Sequence, residues 1–298
     1  MSQNTTLDAR KDTITLWASF IFLMIAWGSS FILVKRSLVS FPPAQVASIR
    51  LVAAMVALIG LAVVHFKHIA RSKLPYIFLS AMLGIFVPAY LFAFSQVGMS
   101  SSVVGVLNAL TPCMTFIVGV SFFQQPSNKF KILGLTIGFI GSAILILANS
   151  KGQLSVSSYV FLVIAATVCY GVNLNIVKRF LPEVKSFHIS TVTVAISGIL
   201  SLVYLLTTNF WIIIQTTENG KSSLLAAVLL GLLGTAAAQT VFNRMLQIST
   251  AVFASSITYF IPIVAVLWGV WDGEILNAVH YLGMALIIGG VIILNRLG

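Results

Sequence analysis

The chain alternates between long apolar runs and short polar clusters, and the clusters are rich in Lys and Arg. Ten runs are distinguishable, near 14–34, 44–65, 74–97, 101–123, 130–148, 156–177, 188–208, 223–246, 251–271 and 276–295. Each is about 20 residues, the length an α-helix needs to cross a bilayer core. The pattern predicts an all-α integral membrane protein with ten transmembrane helices. The first run contains Trp27-Gly28-Ser29-Ser30 and lacks a small-residue cleavage pattern, so it is expected as a retained span rather than a leader.

Composition narrows the function class. Of 298 residues, 59% are apolar and 8% charged, against roughly 25% charged in an ordinary soluble domain. Ten spans leave only about nine residues for each connection and tail, too few for a soluble enzyme domain or a nucleotide-binding cassette. The net charge of +11 does not point to nucleic acid, because the 17 Lys and Arg sit in clusters between apolar runs. Membrane orientation requires such an excess in cytoplasmic loops.

With the N-terminus in the cytoplasm, the inner side holds Arg10, Lys11, Lys67, Arg71, Lys73, Lys129, Lys131, Lys178, Arg179, Lys185, Arg244 and Arg296. The outer side holds Lys35, Arg36, Lys151 and Lys221. The bias predicts both termini inside, in the cell (inner) membrane. Lys35-Arg36 falls on the wrong side and would have to snorkel from a helix end. Cys113 and Cys169 lie inside apolar runs, without neighbours for a disulfide framework.

Self-comparison reveals a repeat. Trp27-Gly28 followed by Lys35-Arg36 recurs as Tyr170-Gly171 followed by Lys178-Arg179, an offset of 143 residues. Pro112 precedes Gly134 as Pro262 precedes Gly283, and Gly141 and Gly290 follow each seven residues later. The expected organisation is a cytoplasmic tail at 1–13, a five-helix repeat at 14–150 and a second at 151–298. Five is odd, so the second copy enters the membrane from the opposite side, giving two inverted repeats.

The sequence resembles the ten-helix, EamA-like branch of the drug/metabolite transporter superfamily over essentially its whole length. The resemblance rests on Ala26-Trp27-Gly28-Ser29-Ser30-Phe31, Arg50, Leu110-Thr111-Pro112, Phe260-Ile261-Pro262, and Asp272-Gly273-Glu274 followed by Gly283. One position departs from the family pattern: Gln125 stands at the first-half equivalent of Glu274, where members often carry Glu, which implies a weaker helix-end cap or loop contact. The resemblance implies a carrier, commonly an exporter of amino acids, metabolites or drugs, and no enzyme.

The candidates for transport are polar and aromatic residues expected near the midplane: Trp27 and Ser30 in the first span, Tyr90 in the third, Asn108 and Thr111 in the fourth, Tyr170 and Asn173 in the sixth, Gln239 and Asn243 in the eighth, and Tyr259 in the ninth. Aromatic walls with a few amides and hydroxyls suit a small neutral or zwitterionic solute. Such residues also serve simply to join helices. Pro112 and Pro262 are expected as paired bends. Arg50, the only basic residue well inside a span, is expected in a gating or structural role; attraction of a substrate carboxylate or phosphate is the alternative.

All six acids, Asp8, Asp12, Glu183, Glu218, Asp272 and Glu274, lie in tails, loops or at span ends. That disfavours a carboxylate-gated antiporter. No cofactor or metal site is expected, because no His pair has both ligand spacing and a carboxylate behind it. The expected partners are a small-molecule substrate and the lipid bilayer, with the glycines of the fifth and tenth spans marking a peripheral or homodimer contact. The expected function is alternating-access export of amino acids or related metabolites, with multidrug (lipophilic cation) export as the rival.

Overall fold

The computed structural model describes residues 2–125, 128–147, 157–248, 257 and 260–296. Among the described residues the chain is helical throughout, without strands. Seven helical stretches are long and apolar enough to cross a membrane: Ile14–Ser37, Pro43–Phe66, Arg71–Ser95, Ser101–Phe123, Val160–Phe180, Ser186–Leu206 and Gly220–Phe242. They are spans one to four and six to eight. Lys129–Leu147, Ile261–Trp271 and Ala278–Arg296 take the places of spans five, nine and ten. The helix of span one starts at Ser2, so it continues back through the segment expected as a tail.

Phe66, Phe122, Phe161, Val203 and Trp271 are among the large apolar side chains exposed on the outside of the bundle. In water such a surface would drive aggregation; in a bilayer it is the face that meets lipid. Buried polar residues inside the bundle are mostly Ser and Thr that return their hydroxyls to their own helix, as Ser142 does to Gly138 O at 2.8 Å and Thr193 to Ile189 O at 2.8 Å. These hydroxyl donors are thereby satisfied within an apolar interior.

Contacts between spans come in matched sets. Span one rests on spans eight and nine, span six rests on spans three and four, and spans two and seven lie against each other. Spans five and ten pack glycine on glycine: a Cβ on Gly141 would meet Ile287 N and Gly283 O, and one on Gly290 would meet the backbone of Gly138 and Gly134. Gly134, Gly138, Gly141, Gly283 and Gly290 thus pack spans five and ten against each other within one chain, while Gly289 faces open space. Gly28 of span one lies against Val264 of span nine as Gly171 of span six lies against Met114 of span four.

Candidate functional site

Spans three and eight are interrupted at corresponding places. Met82–Phe86 and Leu232–Ala237 are short π-helical segments, and Gly84 and Gly234 within them are 150 residues apart. A π turn lengthens the hydrogen-bonded loop and alters which carbonyls point away from the helix. Trp27 of span one donates its indole N–H to Gly234 O at 3.2 Å, while its ring tilts against Phe242 at 5.2 Å. The Asn173 amide of span six lies over Gly84, so closely that a Cβ there could not be accommodated; Ser30 lies over Gly234 in the same way. Each interrupted span is therefore crossed by a polar residue of the other half.

The remaining candidates are dispersed around this centre. Tyr170 stacks on Phe92 with centroids 6.0 Å apart and sits one helical turn from Asn173, whose Oδ1 is buried without a partner. Arg50 of span two is half-buried and donates Nε–H to Thr235 Oγ1 at 2.8 Å in the span-eight π segment. Gln239 is half-buried just beyond that segment. Asn108 and Thr111 bond to each other, Thr111 Oγ1 donating to Asn108 O at 2.8 Å, within the 3-10 turn Asn108–Leu110 and the helix that begins at Thr111.

Two candidates are held by hydroxyl hydrogen bonds. Tyr90 joins spans two and three, its hydroxyl 2.7 Å from Ser48 Oγ. Ser30 is buried and gives its hydroxyl to Ala26 O at 2.9 Å. Pro112 follows the 3-10 turn that divides span four, and Pro262 stands in the first turn of Ile261–Trp271. The side chain of Asn243 and all of Tyr259 lie outside the described residues.

A second polar cluster closes one end of the bundle. Lys35 Nζ lies 2.7 Å from Asp272 Oδ2 and 2.9 Å from Glu274 Oε1, and Arg36 pairs with Asp272. Glu274 also accepts from Ser101 N at 3.0 Å and Oγ at 2.7 Å, and from Ser102 N at 3.0 Å and Oγ at 2.5 Å. Burial opposes the Glu274 charge, yet the Ser102 hydroxyl, Lys35 and Ser101 outweigh it and hold the carboxyl at about 2. The two cations expected to snorkel are instead matched by two acids.

The opposite end has a neutral counterpart. Gln125 Nε2 donates to Asn175 Oδ1 at 2.8 Å, and Asn175 Nδ2 reaches Thr115 O at 3.0 Å and Gly171 O at 2.8 Å. The two turns share a backbone form. Gln125 N bonds Gly119 O at 3.0 Å and Glu274 N bonds Gly269 O at 2.9 Å, each just after a positive-φ residue, Gln124 at 55° and Gly273 at 83°. Gln125 and Glu274 thus occupy like places in turns of the same form. Asn175, Thr235, Ser101 and Ser102 were not legible as site residues. Three are common hydroxyl residues in apolar runs, and Asn175 is masked by its neighbour Asn173.

Ten apolar helical stretches among the described residues, two of them interrupted and crossed by polar residues, define a polytopic membrane protein of the transporter class. The chain belongs to the EamA-like transporter family, whose model matches residues 15–147 and again 157–296. It is 23% identical over 305 residues to YedA, an inner membrane transporter of Escherichia coli strain K12, covering 96% of this chain and 92% of that one. It is 24% identical to a probable terminal-alkyne amino-acid exporter of Streptantibioticus cattleyicolor, over 94% of this chain and 93% of that one. A probable amino-acid metabolite efflux pump of Salmonella typhimurium is 25% identical over 49% of this chain and 48% of its own. A solved crystal structure shares the fold, with a TM-score of 0.64 at 15% identity, over 94% of this chain and 96% of that one.

Proposed function

We propose that the protein is an alternating-access carrier that exports amino acids or related small metabolites across a bacterial inner membrane, with both termini in the cytoplasm. The observation that carries this reading is the reciprocal crossing at the centre: Trp27 on the Gly234 carbonyl and Asn173 over Gly84. It supports two inverted five-span repeats whose interrupted helices meet at a midplane site, the arrangement from which one half rocks against the other. The names of two relatives, an amino-acid exporter and an amino-acid metabolite efflux pump, support the substrate class. The cluster at Lys35, Asp272 and Glu274 supports a state sealed at that end, which is the outer one in this topology.

The rival, export of lipophilic cations, places a positively charged cargo beside a buried arginine. The observations favour a neutral or zwitterionic solute.

The test uses purified protein in liposomes loaded with unlabelled amino acids, followed by counterflow uptake of labelled amino acids. Wild type is expected to show saturable, trans-stimulated uptake. Trp27→Ala and Asn108→Ala are expected to lower it about tenfold or more, the loss that one or two good polar contacts produce. Intact transport of apolar cationic dyes without amino-acid counterflow would overturn the reading in favour of the drug exporter.

A further inference from the structure

We propose that Arg50 is the anchor for a single carboxylate on the transported solute, a reading that rests on the carrier function above and narrows its substrate class. Among the described residues Arg50 has no carboxylate within ion-pair distance. The acids that could have served are committed elsewhere: Asp272 and Glu274 to Lys35 and Arg36, and Glu183 to Lys73 at 3.5 Å. Its side-chain hydrogen bond runs through Nε to Thr235, which leaves the Nη edge of the guanidinium without an acceptor among the described residues. Arg50 nevertheless retains accessible surface although it lies deep in the bundle.

An isolated cation in a span carries a cost on insertion, and such residues mark substrate or ion pathways. The free Nη edge offers two parallel N–H donors, which match the two oxygens of a carboxylate. A phosphate dianion fits less well, because one positive charge leaves the second negative charge unmatched. The π segments connect Arg50 to a polar group that supplies the complement. Ala54, one turn along span two from Arg50, packs with Ala236 and Ile85 of the two π segments, and the Asn173 amide over the span-three segment has a buried Oδ1 without a partner. A solute with a carboxylate at one end and an N–H donor at the other satisfies both groups at once.

The binding test uses purified protein in detergent, with thermal unfolding followed in the presence of the standard amino acids and, separately, their carboxamides. Ligand that binds only the folded state raises the melting temperature by mass action. Wild type is expected to be stabilised by carboxylates, with half-maximal concentrations about tenfold or more below those of the matched carboxamides. Arg50→Gln is expected to lose that discrimination to within about twofold, and Arg50→Lys to retain it at weaker affinity.

Ligand-free Arg50→Gln is expected to melt no lower than wild type, because it removes an unmatched buried charge. A role in merely joining spans two and eight predicts the reverse. The proposal is overturned if no carboxylate stabilises wild type, or if Arg50→Gln binds carboxylates as wild type does. Counterflow of solutes lacking a carboxylate would then leave the carrier function standing without this anchor. Carboxylate-dependent stabilisation without counterflow would support the anchor while contradicting the carrier.

Discussion

Glu274 shows how much one side chain can hold in place. Its two oxygens receive four donors from Ser101 and Ser102 and face Lys35, so a single carboxylate ties the end of span one to the start of span four. Gly269 makes this possible, because a Cβ there would collide with both Ser102 and Glu274. Glu274→Gln keeps the shape and removes the charge, and is expected to lower stability by about 1–3 kcal/mol. The sign of the pH dependence follows from a carboxyl held at about 2 against an ordinary 4.5. The stabilisation is complete above about pH 4.5 and is lost as pH falls towards 2. Melting temperatures of wild type and Glu274→Gln should therefore differ by a constant amount from pH 5 to 8 and converge below that range. A difference that collapses near pH 6 would contradict the assignment. Lys35, Arg36 and Asp272 are the other charged groups facing this carboxyl, and they are common to both proteins.

The helical elements were largely legible from the chain, and their interruptions were not. Span four was expected at 101–123 and the helix occupies Ser101–Phe123, because Ser100 caps it by accepting from Val103 N at 3.4 Å and polar residues follow its end. The π segments at Met82–Phe86 and Leu232–Ala237 left no such mark. They lie inside continuous apolar sequence, and their glycines resemble many others that serve only close packing. The turns after spans four and nine were half legible. The Gln125–Glu274 correspondence came with the family resemblance, whereas the left-handed residue before each left no sign in the sequence. Gly273 suits that conformation and Gln124 does not. Gln124→Gly is accordingly expected to raise stability by about 1 kcal/mol, measurable as a higher melting temperature. A lower melting temperature would show that the Gln124 side chain matters more than its backbone strain.

For the whole molecule, the paired offsets in the sequence pointed to two related halves but did not say which spans would meet. Span one on spans eight and nine answers span six on spans three and four. What spacing could not convey was the difference between the ends: four charges and two serines at one, and the neutral Gln125–Asn175 pair at the other. That asymmetry follows from single residue choices at equivalent places, and it predicts a resting state closed at the Lys35 end. Spin-label distances test it directly. One pair is placed at Val39 and Ile275, 57% and 72% exposed beside the charged cluster. A second is placed at the exposed Phe122 and Pro182 of the opposite end, with Cys113 and Cys169 replaced by Ala. In liposomes, the first distance is expected to be short in the wild-type background. With Asp272→Asn and Glu274→Gln combined it should lengthen as the second shortens. Two distances that stay fixed, or that lengthen together, would contradict alternating access through these two ends.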